Sequence, residues 1–183
     1  MYVIPMLGFD IHIILISSQP DVSHIEGLIP REFGHDAVEV PGARALLDQL
    51  EAVHAPWIIV TSGTRALVTG WLDVLKMPWP PTMVVAEDVS EGKPNPQCYL
   101  LGQERLGLPK HADMIVFEDA PAGVRAGRAA GFKVLGLATT HRIEQIKEAG
   151  ADWIVKDMRC VTMEGYDKES GKVKLRIDNA LVA

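Results

Sequence analysis

The stretch Met114-Ile115-Val116-Phe117-Glu118-Asp119-Ala120-Pro121-Ala122-Gly123 decides how the chain is read. Its first four residues are apolar and make a short buried strand, Met114–Phe117. Two acids follow at the carboxyl end of that strand. Pro121 then opens a helix over Pro121–Ala130, because its missing N–H costs nothing in the first turn, and Gly131 lies just past the helix end. A second apolar run, Lys133–Leu137, follows. Strand, helix and strand of these lengths form a right-handed βαβ unit with parallel strands.

The same alternation extends both ways. Toward the N-terminus, Pro96–Leu106 reads as a helix stopped by Gly107, and Thr82–Ala86 as a strand. Arg65–Lys76 carries Val68, Trp71, Leu72 and Leu75 at helical spacing, and Trp57–Val60 is another strand. Pro41–Val53 is a helix with Ala43, Leu46, Leu47 and Leu50 on one face. Leu7–Ile16 reads as a buried strand that contains Asp10. Between them, Ser17–Val38 is the least regular part of the chain, with Pro20, Gly27, Pro30 and Gly34 and no clear period. Toward the C-terminus come a helix at Ile143–Ala149, a short strand at Trp153–Val155, and a hairpin. The hairpin pairs Val161–Tyr166 with Lys172–Ile177 across the turn Asp167–Gly171, and is expected at a sheet edge. The fold class is therefore α/β: a Rossmann-like three-layer sandwich with a mostly parallel sheet and a C-terminal β-hairpin.

Bulk properties set limits on partners. A chain of 183 residues with 48% hydrophobic residues can bury one full core, and one domain over residues 1–183 is expected. The net charge of −6 gives no basic footprint for nucleic acid. Cys98 and Cys160 lack metal-type spacing and read as reduced thiols. The apolar run at Leu7–Ile16 is interrupted by Asp10 and His12 and is shorter than the ~20 residues of a membrane span. No membrane partner and a cytoplasmic location are expected.

Ligands of open parallel sheets bind at the carboxyl ends of the strands. Four sets of polar groups fall there: Asp10, Thr61-Ser62-Gly63, Lys93 and Glu118-Asp119. Carboxylates, a hydroxyl with backbone donors, and an ammonium suit a phosphate monoester beside a hard cation. A helix N-terminus just after Thr61-Ser62-Gly63 adds to the expectation of anion binding there.

Taken in order, the first strand with Asp10, Thr61-Ser62-Gly63-Thr64, Gly92-Lys93-Pro94-Asn95-Pro96 and Glu118-Asp119-Ala120-Pro121-Ala122-Gly123 resemble the motif series of haloacid dehalogenase (HAD) phosphatases. Val38-Glu39-Val40-Pro41-Gly42-Ala43 fits the re-entry into the core domain of that family. From about Ile25 onward the chain looks like the fungal glycerol-phosphate and 2-deoxyglucose-6-phosphate phosphatases; Val60–Arg65, Ala138–Thr140 and Glu164–Asp178 support that branch. The resemblance implies a Mg²⁺-dependent phosphatase acting on a sugar or polyol phosphate. Asp10 would be the nucleophile that forms an aspartyl-phosphate. Thr61, with Ser62, Gly63 and Lys93, would bind the phosphoryl oxygens. Asp10, Glu118, Asp119 and the backbone carbonyl at His12 would hold Mg²⁺.

Two departures stand out. Where the family has Asp-x-Asp-Gly-Thr, this chain has Asp10-Ile11-His12-Ile13-Ile14, so the leaving-group acid would be His12. General acid catalysis is typically worth ~10²–10⁴-fold, and imidazole can serve, but it is larger than a carboxylate. The second departure is the short linker Ser18–Val38 in place of the helical cap domain of the relatives. An uncapped site is open to water, to a large substrate, or to a homodimer that covers it. Three functions follow: a capless phosphatase, a catalytically impaired or repurposed binding or regulatory module on the same scaffold, and hydrolysis of a non-phosphate substrate as in the dehalogenases. Lys93 and Glu118-Asp119 argue against the third.

Overall fold

The structure is a computed structural model describing residues 2–4 and 22–182. Asp10, His12 and the strand expected over Leu7–Ile16 lie outside the described residues. The elements in chain order are β1 (Tyr2–Ile4), α1 (Val22–Phe33), α2 (Ala43–Ala52), β2 (Ile59–Val60), α3 (Arg65–Leu75), β3 (Met83–Val84), α4 (Gln97–Arg105), β4 (Met114–Glu118), α5 (Pro121–Ala129), β5 (Lys133–Leu137), α6 (Ile143–Glu148), β6 (Trp153–Val155), β7 (Val161–Asp167) and β8 (Lys172–Ile177). The main sheet is parallel throughout, in the order β1-β4-β5-β6. β2 and β3 form a second parallel pair.

β4 shows why this is a three-layer fold. All five of its residues are buried, but they serve two cores. Ile115 and Phe117 join Leu46, Leu47 and Leu50 of α2 and Leu72 of α3 on one face. Met114 and Val116 join Tyr99 of α4, Val124 of α5 and Ile146 of α6 on the other. The period-two alternation of a strand, buried on both sides, divides an unbroken apolar run between two helical layers.

Two segments differ from the sequence reading. The stretch read as irregular holds α1, which lies along α3. Gly27 and Pro30 lower the intrinsic helix propensity, so no clear period shows. Gly27, together with Gly70 of α3, is also what lets the two helices come close. A Cβ on Gly27 would stand 3.0 Å from the Cβ of Ala66, and a Cβ on Gly70 would stand 2.8 Å from Cγ of Pro30. Small residues at a crossing let backbones approach, and the packing outweighs the propensity. The hairpin is present, with β7 antiparallel to β8, but it forms a sheet of its own rather than an edge of the main one. Val161 and Val173 bury its inner face in the core shared with α2. The carboxylate of Asp167 holds its turn by accepting from the backbone N–H groups of Glu169 and Ser170 and from the Ser170 hydroxyl.

Candidate active site

The rim at the carboxyl ends of β2, β3, β4 and β5 carries Thr61, Ser62, Lys93, Glu118 and Asp119, the described members of the polar set picked out in the sequence. Thr61 follows β2. Its N–H donates to the Val84 carbonyl (2.9 Å), which ties the end of β2 to β3, and its hydroxyl accepts from the Gly63 N–H (3.1 Å). Beyond β3 a 3₁₀ turn at Ala86–Asp88 leads to Lys93. Thr61, Ser62, Ala86, Gly92, Lys93 and Cys98 line a cleft of about 250 Å³. Burial pushes the Cys98 thiol pKa up, even with the Lys93 ammonium nearby, so Cys98 is a packing residue of the cleft wall.

Lys93 is held from beneath. Its side chain is only 6% exposed, and its Nζ lies 2.5 Å from Oε1 of Glu118, a residue with no exposed surface. Nζ also lies 3.4 Å from the Val60 carbonyl. The Tyr99 hydroxyl donates to the same Oε1 at 2.6 Å, and the Tyr99 ring faces Nζ with its centroid 5.0 Å away. Burial, then the Glu118 charge, raises the Tyr99 pKa well above that of an ordinary phenol, so the hydroxyl stays a donor. The other oxygen, Oε2, accepts from the backbone N–H groups of Asp119 (3.1 Å) and Ala120 (3.2 Å) at the start of α5. The Glu118 carboxylate therefore caps α5 and anchors Lys93 at once. Gly123 makes room for this, because a Cβ there would stand 1.7 Å from Oε1.

Asp119, 2% exposed, points its Oδ2 toward the end of β5. The hydroxyls of Thr140 (3.0 Å) and Thr139 (3.3 Å) donate to it. The Thr140 hydroxyl also lies 3.0 Å from Nδ1 of His141. With the single Thr140 proton given to Asp119, the His141 nitrogen is the donor in that contact.

The start of α3 is arranged differently from the expectation of an anion site. Its leading N–H groups are taken by carboxylates of the chain itself. Glu26 of α1 accepts from Thr64 N (2.9 Å), and Glu87 accepts from Arg65 N through both oxygens (3.0 and 3.1 Å). The Thr64 hydroxyl caps Leu67 N. Those donors are satisfied internally, which leaves Thr61, Ser62 and Lys93 as the polar lining of the cleft.

The profile of the haloacid dehalogenase-like hydrolases matches residues 16–131, more than half of the chain. The chain belongs to this family. Among curated HAD proteins, glycerol-1-phosphate phosphohydrolase 1 of Saccharomyces cerevisiae is 41% identical over 169 residues, covering 88% of this chain and 68% of the yeast protein. 2-Deoxyglucose-6-phosphate phosphatase 2 of the same yeast is 33% identical over 159 residues, covering 78% of this chain and 63% of the relative. A hydrolase from Pseudomonas syringae has the same fold, with a TM-score of 0.65, 29% identity, and coverage of 72% of this chain and 64% of that one. This HAD chain thus spans about two thirds of the length of such relatives.

The donor set can be weighed against a divalent cation. A buried carboxylate oriented by two hydroxyls, as in Asp119, is a hard oxygen donor of the kind Mg²⁺ accepts. Glu118 is committed elsewhere. A carboxylate has about four lone-pair directions, and four protein donors already meet it. Among the described residues no group of three or more His, Cys, Asp or Glu side chains could hold a metal ion by themselves. The structure brings Lys93, Glu118 and Asp119 together on one rim, with Thr61 and Ser62 sharing the Lys93 cleft. Tyr99, Thr139 and Thr140 had no assigned role in the sequence reading. Tyr99 stands six positions after Lys93, beyond a turn whose geometry the sequence does not specify. No described helix is long and apolar enough to cross a membrane.

Proposed function

We propose that this HAD chain is a Mg²⁺-dependent phosphatase acting on a sugar or polyol phosphate, through attack of Asp10 on phosphorus. The observation that carries the reading is the Lys93 ammonium, buried at the rim, backed by Glu118 and facing the cleft that Thr61 and Ser62 line. A phosphoryl group in transfer spreads negative charge over its oxygens, and a preorganised cation there stabilises that charge more than it stabilises the ground state. The names of the yeast relatives supply the substrate class.

In this mechanism the Thr61 hydroxyl and nearby backbone donors, with Ser62 and Gly63, orient the phosphoryl oxygens. Lys93 neutralises charge between nucleophile and phosphoryl group. Asp10 forms the phosphorus–oxygen bond as the bond to the leaving alcohol breaks, and water then releases phosphate from the aspartyl-phosphate. His12 delivers the proton to the leaving alcohol. Asp119, with Asp10, would hold Mg²⁺, which when bound draws off charge from the phosphoryl oxygens. Glu118 takes the place behind Lys93 rather than a direct place on the cation. In this reading the linker, whose described part is one helix lying on α3, stands in place of a lid of several helices. The reading is of a single core domain in the cytoplasm with an open site; a homodimer covering that site would be read as a change in turnover with protein concentration.

The test is hydrolysis of p-nitrophenyl phosphate, glycerol phosphates and hexose phosphates, with and without Mg²⁺, by the wild type, Asp10→Asn and Lys93→Ala. Metal-dependent turnover lost in both variants supports the proposal. Tight binding of Mg²⁺ and inorganic phosphate without turnover supports instead a repurposed binding module, for which His12-Ile13-Ile14 in place of Asp-Gly-Thr is the specific observation.

A further inference from the structure

Tyr99 is buried on α4, 1% exposed, and touches both members of the ion pair that defines the rim. Its hydroxyl reaches Oε1 of Glu118 at 2.6 Å, the oxygen that Lys93 Nζ meets at 2.5 Å. Its ring stands behind the same ammonium, 5.0 Å from Nζ to centroid. The chain delivers it there by a defined turn: the Asn95 side-chain oxygen accepts from Gln97 N (2.9 Å) and starts α4 just after Lys93. Tyr99 stands in the first turn of that helix and reaches Glu118, the last residue of β4.

A lysine between a buried carboxylate and an incoming phosphate is contested by two anions. If Oε1 had only the ammonium to accept from, the ion pair would draw Nζ toward Glu118 and away from the cleft. A second donor on the same oxygen takes up part of its capacity and fixes the carboxylate plane. An aromatic face attracts a desolvated cation from a direction that carries no competing negative charge. Both effects place the ammonium without neutralising it.

We propose that Tyr99 is a positioning residue for phosphoryl transfer, its hydroxyl fixing Glu118 and its ring backing Lys93 so that the ammonium meets the phosphoryl oxygens. The inference rests on the phosphatase reading above, and its test separates the two. Tyr99→Phe keeps the ring and removes only the donor. With p-nitrophenyl phosphate and Mg²⁺, kcat is expected to fall about 10- to 100-fold, the scale of one hydrogen bond to a charged group, while KM and the affinity for inorganic phosphate change less than about 3-fold. The Mg²⁺-dependent affinity for vanadate, a mimic of the transferring group, is expected to weaken in step with kcat. In a Glu118→Gln background the same substitution is expected to change the vanadate affinity less than about 2-fold, because Tyr99 acts through that carboxylate.

An unchanged kcat and vanadate affinity in Tyr99→Phe overturns the proposal. So does an equal loss with and without the Glu118 carboxylate, which marks a packing effect alone. A wild type that does not turn over but binds vanadate in a Tyr99-dependent way sinks the hydrolysis reading and leaves the positioning role standing. A wild type that binds neither phosphate nor vanadate overturns both.

Discussion

Gly123→Ala is the sharpest perturbation the structure offers. A methyl group there would stand 1.7 Å from Oε1 of Glu118, 2.0 Å from its carboxyl carbon and 2.5 Å from Oε2. Non-bonded carbon contacts settle near ~3.5–4.0 Å, so the carboxylate must retreat by roughly 1.5 Å or the start of α5 must shift. A retreat of that size breaks the contacts to Lys93 (2.5 Å) and Tyr99 (2.6 Å) and loosens those to the Asp119 and Ala120 N–H groups (3.1 and 3.2 Å). Disrupting a buried, paired charge costs about 3–5 kcal/mol. The helix gains at most about 1 kcal/mol from alanine in place of glycine. The expected net loss is therefore about 2–4 kcal/mol, with a fall in kcat of at least ~10-fold as Lys93 loses its anchor. Urea unfolding followed by tryptophan emission reads the first quantity, since Trp57 and Trp71 are buried. Gly165→Ala is the control, because a Cβ there meets nothing within 4 Å; it should stay within about 0.5 kcal/mol of wild type. A Gly123→Ala protein with the wild-type midpoint and kcat would show that Glu118 does not need this conformation, and the account of the rim would be wrong.

Other expectations can be checked with the same preparations. Asp88 accepts from Arg105 (2.7 Å), Arg65 (3.3 Å) and Val85 N (2.9 Å), and so ties the loop before Lys93 to α3 and α4. The Arg105 hydrogen bond, working against burial and helped by the Val85 N–H and both arginine charges, lowers its pKa from 3.8 to about 2. Its folded pKa is depressed, so its stabilisation is complete above 3.8 and is lost as pH falls through about 2. Asp88→Asn should lower stability at pH 7 by on the order of 1–2 kcal/mol and flatten the acid limb of a stability–pH curve in that window; an unchanged limb would refute the assignment. Glu26→Ala removes the acceptor for Thr64 N (2.9 Å) and should cost about 1 kcal/mol, with faster amide exchange at the start of α3. Thr140→Val removes a donor to Asp119 (3.0 Å) and should weaken Mg²⁺ binding about 10-fold by calorimetry, with the fold intact by circular dichroism. Leu50→Ala, at a position with no exposed surface, should cost about 2–5 kcal/mol in urea unfolding without changing KM.

The alternation of short apolar runs with helical periods was legible because each element is specified locally. The helix from Pro121, the strands at Lys133–Leu137 and Trp153–Val155, and the helix from Arg65 fall where the spacing puts them. Element types follow from periods of two and 3.6, and parallel strands follow from the βαβ rule. α1 escaped this reading, because Gly27 and Pro30 lower local propensity and repay it only in contact with α3. The hairpin was legible as a hairpin, but not its separation from the main sheet, which depends on the apolar face it buries against α2.

The candidate site divides along the same line. The residue types and their places at strand ends, Thr61, Lys93, Glu118 and Asp119, were in the sequence, since a strand end is a local fact. Which atom each carboxylate meets was not. That Glu118 turns back over Gly123 to Lys93 and Tyr99, that Asp119 looks instead to Thr139 and Thr140, and that Glu26 and Glu87 occupy the start of α3 are contacts between residues 5 to 38 positions apart. The chain alone determined the scaffold and the inventory of charges. Only the tertiary structure decided how those charges are shared, because hydrogen-bond partners in a buried site are chosen by distances that packing, not spacing, sets.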